Sequence, residues 1–194
     1  MRNVHLILVL TAGLLPLATA RAAPADVPET GQATCFDAAG TVVACTGTGQ
    51  DGEHRAGVAW PNPRFVAGTG PTAACVTDNL TGLMWTRNAN LPAGTRTWQQ
   101  ALDFANGLDL CGFTDWRLPN VNELESLLNS EVAVQATFLN TQGFTNVQAS
   151  LYWSSTTSVY LNTHAAWFVQ MNDGGVSDVD ESFPSLVWPV RAGP

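Results

Sequence analysis

The chain has 194 residues, of which 45% are hydrophobic and only 12% are charged, and its 16 acidic residues against 8 arginines and no lysine give a formal net charge of −8. Disordered chains combine low hydrophobicity with high charge density, so this composition excludes that class, and eight scattered arginines provide no cationic cluster for a nucleic-acid backbone or a sulfated glycan. The length is that of one domain with an appendage.

The amino terminus has the layout of a secretory signal peptide. A short positive head, residues 1–5, precedes an apolar run over residues 6–17, and small residues suited to cleavage after Ala20 or Ala22 follow. About twelve apolar residues are too few to cross a bilayer, which takes about 20. We therefore expect residues 1–22 to be removed, no stable membrane insertion, and a secreted, periplasmic or cell-envelope protein. Because two arginines and no acid leave with this segment, the net charge falls from −8 to −10.

Residues 23–74 are predicted to form a leader and a loop-rich lead-in with little periodic structure. The segment GTGQDG (47–52) matches the GxGxxG pattern of dinucleotide sites, but that motif requires a preceding strand and a following helix. The prolines of WPNPRF (60–65) prevent a long helix there, so we interpret the motif as a turn-rich loop. Trp60 lies in this irregular region and is expected to be the most exposed of the seven tryptophans.

Four cysteines, an even number, follow the predicted signal peptide and indicate two disulfides with three possible connectivities. Cys35 and Cys45 flank two short extended pieces around Ala39-Gly40, and a hairpin there would bring the two within bridging range. We therefore favour the pairs Cys35–Cys45 and Cys75–Cys111. A four-cysteine zinc site is disfavoured because the chain has no C-x2-C pair, and we expect no metal ligands among these residues.

From residue 75 to 194 the apolar pattern is denser and predicts one α+β domain with an antiparallel sheet. Two strands surround a turn at Asp78-Asn79, and a helix over 97–106 is capped by Thr97. A second helix begins after Asn120, where Glu123 completes a capping box. Its predicted apolar stripe is Val121, Leu124, Leu127 and Leu128; further strands are predicted over 151–157, 165–171 and 186–191, with a turn at 172–175.

Candidate ligand-binding residues lie in two segments that are predicted to be loops, 158–165 and 172–185. They offer aromatic, hydrogen-bonding and acidic groups and are Tyr160, Asn162, His164, Asn172, Asp173, Asp178, Asp180 and Glu181. Calcium is a weak alternative for the acids, because the DxDxDG loop order is missing, and no other cofactor is expected. Ser154 with His164 and Asp173 could suggest a triad, but no GxSxG elbow exists, so a strand with hydroxyls paired across the sheet is favoured.

Five segments together resemble the bacterial Lcl C-terminal domain family, formerly a domain of unknown function. They are CVTDNLTGLMW (75–85), CGFTDWRLPNVNELESL (111–127), YWSSTT (152–157), AWFVQMNDG (166–174) and VWPVR (187–191). The lead-in also looks like the segment that precedes this domain in exported relatives, which implies that it packs against the domain.

The resemblance implies a C-type-lectin-like fold, akin to formylglycine-generating enzymes, in which two helices flank a small antiparallel sheet with long loops. It also implies action mainly by binding, since the namesake domain belongs to a collagen-like adhesin associated with trimers and sulfated glycosaminoglycans. This chain has no Gly-X-Y repeat to enforce a trimer, and its acidic charge disfavours a sulfated glycan.

The sequence thus predicts an exported, non-catalytic binding module for adhesion or recognition, with a protein or glycan as ligand and no nucleic-acid partner. The alternative is a secreted enzyme. A formylglycine-type oxidase would need Cys75 and Cys111 as a reactive, unbridged thiol pair, and a glycan hydrolase would need two facing carboxylates about 5–10 Å apart.

Overall fold

A computed structural model describes residues 27–159 and 164–193 of the protein. The predicted signal peptide, residues 1–22, and the candidate residues Tyr160 and Asn162 lie outside these described residues. The strands are β1 (Cys35–Phe36), β2 (Val42–Val43), β3 (Phe65–Ala67), β4 (Cys75–Asp78), β5 (Leu83–Thr86), β6 (Leu151–Ser158), β7 (Ala165–Gln170), β8 (Val176–Asp180) and β9 (Val190–Ala192). The helices are α1 (Asp51–His54), α2 (Trp98–Asn106), α3 (Val121–Glu125) and α4 (Gln135–Thr141), with a 3-10 turn at Gly70–Thr72.

These elements form an α+β fold with three small antiparallel sheets, which confirms the predicted class. β1 and β2 form a hairpin, β3-β4-β5-β9 form a four-stranded sheet, and β6-β7-β8 form a three-stranded sheet. β9 pairs with β5 although more than a hundred residues separate them, with Met84 opposite Arg191. The end of the described chain is thereby fixed beside the turn between β4 and β5.

Apolar side chains of β6 and β7 pack into a core on each face of the β6-β7-β8 sheet. Tyr152 and Val169 belong to the largest core, which also contains Leu124 and Leu127 near α3. The next residues of the same strands, Trp153 and Phe168, belong to a second core beneath α2, where Ala101 and Ala105 are buried. Because side chains alternate between the faces of a strand, this arrangement explains the uninterrupted apolar character of β7.

The tryptophans mostly build the core. Trp85, Trp116, Trp153 and Trp188 are at most 2% exposed, and the Trp188 ring makes an edge contact with Trp85 at a centroid distance of 5.5 Å. Trp60 is half-buried, and its Nε1 donates to the Glu29 carbonyl at 2.8 Å.

The predicted helix starts are correct, but the second helix is shorter than its apolar stripe. In α3 the Glu123 N–H donates to Asn120 Oδ1 at 2.9 Å and the Asn120 N–H to Glu123 Oε2 at 2.8 Å, which confirms the capping box. α3 ends at Glu125, and the next turn is tightened, with the Leu127 N–H bonded to the Leu124 carbonyl three residues back. The Ser126 hydroxyl donates to the Glu123 carbonyl, which competes with continued helix.

Within residues 75–194, two elements were absent from the prediction. α4 follows the second predicted helix, and β8 occupies the middle of segment 172–185, which was predicted to be a loop. The sequence VSDVD has two aspartates and so a low intrinsic strand preference, and pairing with β7 supplies its backbone hydrogen bonds. Of the predicted strand 186–191, only the part from Val190 on is regular, because Pro189 has no N–H to donate.

Both predicted disulfides are present, with Cα atoms 5.2 Å apart for Cys35–Cys45 and 6.5 Å apart for Cys75–Cys111. Bridges of this kind persist in oxidising compartments, so they indicate an oxidising environment for the folded chain. In the part of the chain that the structure describes, none of the helices has the length and apolar character needed to span a membrane.

The lead-in is joined to the rest of the fold by polar contacts and by a strand. The Glu131 carboxylate accepts the backbone N–H groups of Ala33 and Thr34 at 2.7 and 3.0 Å, as well as the Thr34 hydroxyl. β3 adds to the edge of β4. Immediately before β3, Arg64 forms a buried ion pair with Asp78, at the end of β4.

Candidate functional site

The predicted site residues that the structure describes are divided between the two ends of the β7-β8 hairpin. Asn172 and Asp173 lie in the turn that joins the two strands, whereas His164 and Glu181 lie at the opposite end. β8 has five residues, so about 17 Å separates these ends. The prediction of one continuous acidic loop over 172–185 is therefore wrong, because a regular strand separates its acids.

At the turn, the acids and amides shape the backbone. Asp173 Oδ1 accepts the Gly175 N–H at 2.9 Å, which closes the turn between β7 and β8. Gly174 adopts a φ of +83°, a conformation that suits a residue without Cβ. Asp173 is exposed, and the oxygen atom of the Asn172 side chain is buried without a hydrogen-bond partner among the described residues.

At the opposite end, Asp180 and Glu181 organise the exit from β8. Asp180 Oδ1 accepts the Ser182 hydroxyl at 2.6 Å and the Ser182 N–H at 2.8 Å. These two bonds hold the pKa of Asp180 below its ordinary value, and the bond from the Ser182 hydroxyl has the larger effect. The nearby charge of His164 lowers the pKa further. The Glu181 carbonyl accepts the Trp98 N–H at the start of α2, so Glu181 joins this end of the hairpin to the helix.

Asp178 differs from these acids because part of its carboxylate has no partner. Its Oδ2 is buried and makes no hydrogen bond within residues 27–159 and 164–193. Directly opposite on β7 stands Trp167, which is half-buried. Side chains of opposed residues lie on the same face of a sheet with Cβ atoms about 4.5–5.5 Å apart. The carboxylate and the indole therefore lie side by side on the same face of β7-β8.

The backbone of β8 faces outward at this same residue. The Gln170 N–H bonds to the Gly175 carbonyl and the Glu181 N–H to the His164 carbonyl, both at 2.8 Å. In an antiparallel ladder such bonded pairs alternate with non-bonded pairs, so the backbone groups of Val176, Asp178 and Asp180 point away from β7. No described strand pairs with β8 on that side. Sequence reasoning missed the pairing of Trp167 with Asp178, since the loop prediction for 172–185 placed no strand beside Trp167.

The structure also shows the residues that the sequence suggested for a catalytic triad, a thiol oxidase and a metal site. Ser154 is buried within β6, and its hydroxyl donates to the Trp167 carbonyl at 2.7 Å, as the strand interpretation predicts. Cys75 and Cys111 are bonded to each other, so they do not form the unbridged thiol pair that the oxidase alternative requires. Within the described residues, no group of three or more His, Cys, Asp and Glu side chains could hold a metal ion.

A polar groove lies where the lead-in meets α3. Its two adjoining cavities, of about 360 and 310 Å³, share Pro28, Asn122 and Ser126 in their walls. Several of its polar side chains are already bonded within the protein. Among them Glu123 pairs with Arg117, with 2.6 Å between Oε1 and Nη2. Burial alone would raise the pKa of Glu123, but the bonds from Arg117 and Asn120 outweigh burial and lower it. Glu123 therefore has its partners within the protein, whereas the Asp178 carboxylate retains an oxygen without one.

A family model described as the Lcl C-terminal domain matches residues 74–191. No curated protein sequence matches the chain. The matched segment begins just before β4 and ends within β9, so it includes Asp178 and Trp167 and leaves most of the lead-in outside.

Proposed function

Since the chain belongs to the Lcl C-terminal domain family, we propose that it is an exported, non-catalytic binding module with a C-type-lectin-like fold. Its ligand is a protein or a glycan, and its binding face lies on the β7-β8 hairpin around Asp178. Two disulfides support residence outside the reducing cytosol.

The observation that carries the proposal is the unpaired Oδ2 of Asp178. A buried acceptor without a hydrogen bond costs on the order of 1–3 kcal/mol, and more when it is charged. A ligand that draws this side chain outward and donates to Oδ2 recovers that free energy on binding. The neighbouring indole of Trp167 adds a flat apolar surface that suits a cationic group or a sugar ring.

The charge of the protein narrows the ligand class. A formal net charge of −8 repels sulfated and other polyanionic ligands. Neutral glycans with hydroxyl donors and proteins with basic segments remain, and both can donate hydrogen bonds to a carboxylate.

An array of neutral glycans, sulfated glycans and cell-surface proteins, probed with the full chain, tests this proposal. Asp178→Asn removes the charge at the proposed site, and Asp103→Asn, at an exposed position on α2, is the matched control with the same charge change. We expect Asp178→Asn to weaken binding to captured neutral or basic ligands about tenfold, the effect of one lost charged hydrogen bond, while Asp103→Asn binds as the wild type does. Equal binding by both variants, or capture of sulfated glycans alone, would contradict the proposal. A parallel array with a chelator tests the calcium alternative.

A further inference from the structure

Building on this proposed function, we infer that the partner is a protein that adds an extended segment to the open edge of β8. That segment carries basic residues at alternate positions. The inference rests on the juxtaposition of an unpaired strand edge with acidic side chains spaced two residues apart.

The backbone of β8 supplies the first part of the interface. The N–H groups of Val176, Asp178 and Asp180 and the carbonyls of Val176 and Asp178 point away from β7, while the Asp180 carbonyl already accepts the Phe183 N–H. No hydrogen bond to the described residues uses the outward groups of Val176 and Asp178. An extended peptide beside β8 can therefore form main-chain hydrogen bonds with consecutive outward groups, as in other strand-addition complexes.

The side chains supply the second part. Asp178 and Asp180 are two residues apart on one strand and so lie on the same face of the sheet. In an added strand, the residues opposite them are also two apart and lie on that face. An arginine or lysine opposite Asp178 can pair with the half-buried Asp178 carboxylate, and its long side chain can extend toward the Trp167 ring on the next strand. The excess of acidic residues in the chain favours the same basic partner.

Acidic residues on an edge strand can also serve to prevent pairing with other chains. A protective charge performs that role while hydrated. Asp180 fits this description, because it is exposed and its Oδ1 is occupied by Ser182. Asp178 does not, because its Oδ2 is buried and unbonded. The two aspartates therefore differ in the property that separates a protective acid from a recognition acid.

The probe for this inference is a fluorescein-labelled peptide of alternating arginine and valine, with acetylated and amidated ends, titrated into the full-length protein while anisotropy is recorded. Two matched peptides accompany it. One replaces every arginine with glutamate, and the other keeps the arginines but carries N-methyl groups on the backbone nitrogens that would face β8.

We expect the arginine peptide to bind, the glutamate peptide not to bind, and the N-methylated peptide to bind at least about tenfold more weakly, since it lacks the main-chain donors. Asp178→Asn should weaken binding of the arginine peptide about tenfold, and Asp103→Asn should leave it unchanged within about twofold. Amide hydrogen exchange at Val176 and Asp178 should slow when the arginine peptide binds.

Equal binding of the N-methylated and unmodified peptides would show charge attraction without strand addition and would overturn the inference. The inference would also be overturned if the arginine peptide fails to bind while an array ligand still binds in a manner sensitive to Asp178→Asn. In that case the proposed function would stand. If neither the peptide nor any array ligand responds to Asp178→Asn, both proposals fail.

Discussion

Replacing Arg64 with methionine should leave the buried carboxylate of Asp78 without its charged partner. Arg64 is 5% exposed and Asp78 is fully buried. Two parallel hydrogen bonds of 3.0 Å join them, from Nε to Oδ1 and from Nη2 to Oδ2. The guanidinium also lies 4.4 Å from the centroid of the Trp60 ring and 4.5 Å from that of Phe65. The pair therefore connects the lead-in to the end of β4 in a site that water does not reach.

The expected loss of unfolding free energy is about 3–5 kcal/mol, the cost of leaving one partner of a buried ion pair uncompensated. Methionine keeps much of the aliphatic volume, but it donates no hydrogen bond. Asp78 then retains only the Leu80 N–H and the Thr81 hydroxyl, at 3.0 and 2.9 Å. For a domain of this size, the loss corresponds to a fall of roughly 6–20 °C in Tm.

Urea unfolding with the disulfides intact, followed by tryptophan fluorescence, measures this loss. The matched control is Arg55→Met, because Arg55 is 55% exposed and its nearest contact with Glu29 is 3.7 Å, so that variant should lose less than about 1 kcal/mol. A double variant, Arg64→Met with Asp78→Asn, should be more stable than Arg64→Met alone, since no buried charge remains. The reasoning is refuted if Arg64→Met costs no more than Arg55→Met, or if the double variant loses the sum of the two single losses.

Three further predictions follow from other contacts. Hydrogen bonds from Ala33 and Thr34 hold the pKa of Glu131 below its ordinary value of 4.5, so the contribution of Glu131 to stability is present above about pH 4.5 and disappears as the pH falls through the lower folded pKa. In urea unfolding, Glu131→Gln should reduce the loss of stability at acid pH, and parallel losses in the variant and the wild type would contradict the assignment. Burial raises the pKa of Tyr152 to about 12, so ultraviolet titration should show one tyrosine that ionises well above about pH 10, and Tyr152→Phe should remove that step. The stability of the fold should also fall as the pH rises above about 10. A single step near about pH 10 for both tyrosines of the wild type would be inconsistent with burial. A fragment of residues 74–194 lacks β3 and Arg64, so circular dichroism should show a lower, broader melt than for the full chain; a cooperative melt within a few degrees would show that the lead-in is dispensable.

The correct predictions concern features specified by neighbouring residues. The capping box at Asn120 and the hairpin disulfide between Cys35 and Cys45 depend on residues three and ten positions apart, and both are present. The paired Cys75 and Cys111 followed from eliminating other connectivities. Local hydrogen-bonding rules and the limited reach of a short loop suffice for such features.

The incorrect or missing predictions concern features specified by a partner distant in the chain. β8 lacks a strong strand pattern and is ordered by its pairing with β7. The ion pair between Arg64 and Asp78 left no signal in spacing, because nothing local requires those two residues to meet.

The candidate site shows the same division. The sequence by itself determined which acids this protein carries, the excess of acid over base, its disulfides, its α+β class and its resemblance to a family. Only the tertiary structure decided which acid is unusual. Asp173 and Asp180 look equivalent to Asp178 along the chain, yet they accept hydrogen bonds from adjacent turns, while Asp178 lies mid-strand opposite Trp167 with a buried, unbonded oxygen. Burial and hydrogen-bond satisfaction are properties of the packed surroundings, so they emerge only when β7, β8 and the rest of the fold are assembled.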